Sequence, residues 1–167
     1  MRSQVLLFLM IFILFVSAKS NADLNSSVQA VERARNAIAK AETVVSQIPA
    51  DSAELDYVVQ LLTKTSEDWD MVLSSFNDAR ICSEKIMKTS NESLLEDYQA
   101  LFTVSKQLTE THANAVIVAA SYIRLVASNN LDQLENIRKS IQEIYQVKQL
   151  VLDNAEYTKK AIAEKYQ

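Results

Sequence analysis

Apolar positions along the chain fall into four stretches of helical period. In the first, Val31, Ala34, Ile38, Ala41, Val45 and Ile48 recur at alternating steps of three and four, with Arg33, Arg35, Lys40 and Glu42 between them. That is a heptad stripe with a charged outer face. Ser26 with Gln29 three residues later reads as a capping box that opens it. Pro49 closes it, because the residue before a proline is pushed out of the α region. The second stretch begins near Asp51–Ser52, with Glu54 placed to complete the cap. Its stripe is Leu55, Val58/Val59, Leu62, Trp69, Val72/Leu73, Phe76, Ala79 and Ile86. Thr65-Ser66-Glu67-Asp68 has the composition of a second helix start, yet the seam passes through it without a change of phase, so one continuous helix is preferred.

The third stretch opens after the polar turn Lys88–Ser93, with Ser93 and Glu96 as its capping box. It carries Leu94, Tyr98, Leu101, Val104, Leu108, Ala115, Val118/Ala119, Tyr122 and Leu125/Val126. Ser128-Asn129-Asn130 ends it, asparagine being the best left-handed residue where glycine is lacking. The fourth shows Leu134, Ile137, Ile141, Ile144, Val151, Ala155 and Ile162. The breaks near 51, 90 and 129 are evenly spaced, so the last three helices are similar in length, each roughly 55 Å. Long helices joined by short turns lie antiparallel. The expected fold is all-α, an elongated antiparallel four-helix bundle whose shorter first helix shares the common core.

Composition sharpens this. The chain has no glycine and one proline, where roughly a dozen glycines would be ordinary. Primed hairpin turns depend on glycine, so a β-rich fold is disfavoured.

The first 22 residues read as an address. Arg2 is followed by the unbroken apolar run Val5–Val16, and Val16-Ser17-Ala18 and Ser20-Asn21-Ala22 both fit a signal-peptidase site. Lys19 and Asn21 interrupt too early for a bilayer span, which needs about 20 apolar residues. The expectation is a cleaved secretory signal over 1–22, a single helical domain over 23–167, and a secreted protein (periplasmic in a bacterium). Losing Arg2 and Lys19 takes the 17 basic residues to 15 against 21 acids, a net charge of −6. That balance disfavours nucleic acid and anionic membrane surfaces. Cys82 is the only cysteine. It is either buried, the favoured reading, or an intermolecular disulfide that would tie a homodimer.

Enzyme chemistry has little to draw on, and no catalytic, cofactor-binding or metal site is expected. His112 is the only histidine, which rules out a His-x-x-x-His zinc motif. Antiparallel pairing places Cys82 some two turns or more from its level, too far for a nucleophile–base pair. A hydrogen-bonded bundle histidine is the expected role. The acidic groups at Glu67-Asp68-Trp69-Asp70 and Glu92…Glu96-Asp97 lack calcium-loop spacing and read as helix-start acids. Asn25 and Asn91 begin glycosylation sequons.

One feature points towards function. Between Ala113 and Ala127 the only charge is Arg124. Beside the seam, Val116, Ile117, Ala120 and Ile123 form a second apolar stripe, which is either covered by the first helix or open to a partner. Three classes follow: a secreted protein-interaction module, which is preferred; a carrier of an apolar ligand such as a lipid, for which Ser83, Ser105, His112, Lys148 and Thr158 loosen the seam; and a structural homodimer bridged through Cys82.

Overall fold

The heptad stripes fold into four α-helices. The computed structural model describes residues 23–167; the expected leader lies outside them. The helices are α1 (Asn25–Val45), α2 (Leu55–Lys88), α3 (Glu92–Ala127) and α4 (Leu134–Glu164), with one 3-10 turn at Leu131–Gln133. The described residues contain no strand. Helix α2 runs unbroken through Thr65–Asp68 for 34 residues.

The caps differ in part from the sequence pattern. Helix α1 follows Leu24 with no side-chain cap, and the Ser26 hydroxyl instead donates to Glu110 on α3. Helix α2 begins at Leu55 rather than near Asp51, after a turn in which the Glu54 N–H donates to the Ser52 hydroxyl. Helix α3 is capped by Asn91, whose Oδ1 accepts from the Leu94 N–H at 3.2 Å, and not by Ser93. After α3, Asn129 adopts φ 53°. The Asn130 N–H then reaches the Leu125 carbonyl and the Asn129 N–H the Val126 carbonyl, a Schellman closure made without glycine.

Helix α3 is the axis of the molecule. Sixteen of its side chains are buried, against three on α4. It packs against α1, α2 and α4, whereas the α4 backbone stays more than 8 Å from those of α1 and α2 between Cα atoms. The direction of each helix follows from its contacts. Asp68 and Ser75 of α2 reach His112 and Thr109 of α3, so that pair is antiparallel. Ser26 reaches Glu110 while Ile38 and Ala41 lie beside Ile123, so α1 runs parallel to α3. Alanines permit their close approach: Ala30 and Ala34 cluster with Ala113, Val116 and the α2 residue Val72. Each of these is at most 1% exposed.

The inward face of α2 is Val58, Leu61, Thr65, Asp68, Val72, Ser75, Ala79 and Cys82. This is a strict three–four heptad line, displaced from the more apolar one in the sequence reading. Leu62, Trp69 and Phe76 of that reading are half-buried, and Val59 and Leu73 are exposed.

Candidate functional site

A buried cluster of ionisable side chains sits where α2, α3 and α4 converge. Asp68 and His112 are each 2% exposed. The His112 Nδ1–H donates to Asp68 Oδ1 at 2.7 Å, and Lys148 Nζ donates to the same oxygen at 2.8 Å. Tyr145 donates its hydroxyl proton to Oδ2 at 3.0 Å. Lys64 and Lys148 both lie over the Tyr145 ring, at 5.1 and 4.2 Å from its centroid, within cation–π range. Burial alone would raise the Asp68 carboxyl. The hydrogen bonds from His112, Lys148 and Tyr145 outweigh it and hold the group below its ordinary value. Burial and the adjoining Asp68 charge push the Tyr145 phenol far up, so it stays a donor. His112 Nε2 is buried and makes no hydrogen bond within the protein.

Two further polar clusters lie towards the ends of α4. At one, Glu54 accepts from both Tyr122 and Arg138, and the Arg138 guanidinium also donates to the Tyr122 oxygen. Tyr57 packs edge-on against Tyr122 with centroids 5.0 Å apart. At the other, Asp97 at the start of α3 accepts from Lys165 and Tyr166, just past α4. In all three, a carboxylate from the α2–α3 side meets a base and a tyrosine, and the base always comes from α4 or its end.

These clusters were only partly visible in the sequence. His112 is a hydrogen-bonded bundle histidine, in line with the sequence pattern, and Lys148 is at the seam. Asp68, read as a helix-start acid, is instead a buried acceptor in mid-helix, and Asp97 is likewise engaged by side chains. The signal for Asp68 was its phase, seven residues after Leu61 and four before Val72. Among the described residues no group of histidine, cysteine or acidic side chains is arranged to hold a metal. The buried groups of the Asp68 cluster bond to one another, and a substrate has no open approach to the carboxylate.

The second apolar stripe is not an open patch. Helix α1 lies across it: Val116, Ala120 and Ile123 are at most 1% exposed and Ile117 is half-buried. Of the two readings of the stripe, burial favours coverage by the first helix over an open docking surface. The cause is the close α1–α3 approach, which spends α1 on that face. Cys82 is buried against Ala79 and Phe102, with burial raising its thiol above the ordinary value. A disulfide between two folded copies would require this end to open, so the homodimer bridge finds no support in the geometry. Asn25 and Asn91 are both exposed. The Asn91 cap uses only Oδ1, which leaves Nδ2 free to carry a glycan.

What remains open is the strip of α3 between α1 and α4. There a cleft of about 390 Å³ is lined by Val44 and Gln47 at the end of α1, Ser121, Arg124 and Leu125 on α3, and Ile137 on α4. Arg124 makes no ion pair among the described residues, and the walls combine amide, hydroxyl and aliphatic groups. No helix among the described residues is long and apolar enough to cross a membrane. In comparison with known proteins, the chain matches no family model, no curated protein and no solved structure.

Proposed function

We propose that the chain is a secreted, non-enzymatic protein, an elongated antiparallel four-helix bundle that acts as a protein-interaction module through the cleft between α1 and α4. One observation carries the reading: α1 and α4 both pack on α3 with their backbones more than 8 Å apart between Cα atoms, so the last turns of α3 lie in a slot between two helix ends. An amphipathic helix of a partner protein suits such a slot. Its apolar edge would rest on Val44, Leu125 and Ile137, with a carboxylate facing the unpaired Arg124. Secretion rests on the leader pattern at 1–22. The exposed, half-used Asn91 supports glycosylation in a eukaryotic host.

A photo-crosslinking residue placed at Gln47 or Ser121, in the full chain expressed in its own secretory host, tests this. The expected result is one polypeptide adduct from the cleft positions, none from the exposed α2 position Asp70, and loss of the adduct with Arg124→Glu. Adducts that form equally at Asp70, or that ignore Arg124→Glu, overturn the reading. A co-purified lipid in native mass spectrometry, lost on Leu125→Asp, would replace it with the apolar-carrier class.

A further inference from the structure

We propose that α4 is a strap that opens as a unit from a core of α1, α2 and α3, and that the Asp68 cluster is the latch that holds it closed. The case begins with an imbalance. Helix α4 is 31 residues long yet buries only Leu134, Ile141 and Ala155. Helix α1, with 21 residues, buries four. The outer side of α4 leaves Val147, Leu150 and Tyr157 exposed, and its other inward apolar residues, Ile137, Ile144, Val151 and Leu152, are only half-buried.

Polar contact does the rest, and it is concentrated. The outer clusters have solvent-facing bases: the Arg138 and Lys165 side chains are 40% and 42% exposed. Ion pairs this open contribute little. Lys148 is 20% exposed and its partner Asp68 only 2%, so the middle cluster alone is shielded from water. The groups facing Asp68 are His112 from α3, and Tyr145 and Lys148 from α4. Lys64 and Glu67, on α2 itself, face Tyr145.

When α4 leaves, His112 stays with Asp68, because both belong to the α2–α3 pair. The carboxylate therefore keeps one charge-assisted partner in the open state, and the core survives the opening. Helix α1 cannot behave the same way, since its alanines interlock with α3 and its side chains make no comparable cluster with α4. The strip uncovered by opening includes Val104 and Leu108, which pack against Ala155, Val151 and Leu152 when the strap is closed. The inference does not rest on the proposed cleft function.

Peptide-resolved hydrogen–deuterium exchange on the full chain at neutral pH provides the test, comparing the parent protein with Asp68→Asn and Lys148→Met. Amides of α4 between Ile137 and Ala161 are expected to exchange about ten- to a hundredfold faster in either variant, the range for losing a charged hydrogen bond. Peptides covering Val72 and Val116–Ile123 should exchange more slowly than those of α4 in the parent protein, and should stay the more protected in both variants. Arg80→Ala, which breaks the exposed Arg80–Glu84 pair on α2, should change nothing in α4. If Asp68→Asn does not fold, Lys148→Met decides alone, since it removes only the α4 side of the latch. Equal protection of α4 and of the core in the parent protein, or no acceleration in α4, overturns the proposal.

Discussion

Removing a carboxylate from water costs several kcal/mol unless partners compensate, so the three donors to Asp68 are a condition of its burial. Because they hold the folded-state carboxyl below its ordinary value, the folded protein binds that proton more weakly than the unfolded chain does. The resulting stabilisation is complete above the unfolded value and drains as pH falls through the lower folded one. Stability should therefore decline below about pH 4. Asp68→Asn should flatten this acid limb while lowering neutral stability by roughly 3 kcal/mol. Urea denaturation across the acid range checks both, and an acid limb as steep in the variant would contradict the assignment. Tyr122 makes the opposite case at alkaline pH. Burial first, then its hydrogen bond to Glu54, pushes the phenol up to about 12. Its contribution is fully present below the ordinary value of 10.0 and is lost as pH rises through the folded one. Tyr122→Phe should cost about 1 kcal/mol at neutral pH and shrink the alkaline loss, which tyrosinate absorbance together with denaturation midpoints would show.

Between elements, direction reverses without glycine, and Asn129 bears the strain. Left-handed backbone costs a residue with a Cβ roughly 1–2 kcal/mol. Asn129→Gly should raise the denaturation midpoint and Asn129→Val lower it, and equal midpoints would remove this account of the turn. The α1–α3 seam is sensitive in another way. Ala34 is fully buried where two helices come close, so Ala34→Leu should destabilise by about 1–3 kcal/mol through overpacking, read by thermal denaturation. These two sites mark what a sequence pattern reveals. The Ser128–Asn130 break was legible because its chemistry is local, and the four helices because period and polarity are local too. The inward face of α2 was legible only in part: Val58, Val72 and Ala79 lie on the core line, whereas Leu62, Trp69, Leu73 and Phe76 flank it and the polar Thr65, Asp68 and Ser75 complete it. Those polar residues are at home there only because α3 offers Thr109 and His112 and α4 offers Tyr145 and Lys148. Such compensation is a tertiary fact. The N-cap of α3 was misplaced for a smaller reason: Asn91 and Ser93 are both good caps, and composition alone does not choose between them.

For the whole molecule, the arrangement of three helices around α3 implies that cooperativity is uneven. Trp69, the single tryptophan, packs against the buried cluster of Ala30, Ala34, Val72, Ala113 and Val116, which draws on α1, α2 and α3. Its fluorescence therefore reports on the α1–α2–α3 core. Far-UV circular dichroism reports on all helices, and α4 supplies 31 helical residues beside 21, 34 and 36 from the others. A strap that opens first would lower the dichroism signal while Trp69 still sits in its native surroundings. In a urea titration the dichroism transition should accordingly begin at lower denaturant than the fluorescence transition, with the gap widening in Lys148→Met. Coincident curves would be the mark of two-state unfolding and would mean that α4 is as firmly bound as the rest. The same order follows from where water is excluded. Helix α3 buries sixteen side chains, and the seam it shares with α1 consists of residues almost without exposure. Helix α4 relies on polar clusters, two of which have solvent-facing bases, and segments held in that manner sit at the low end of the local stability range.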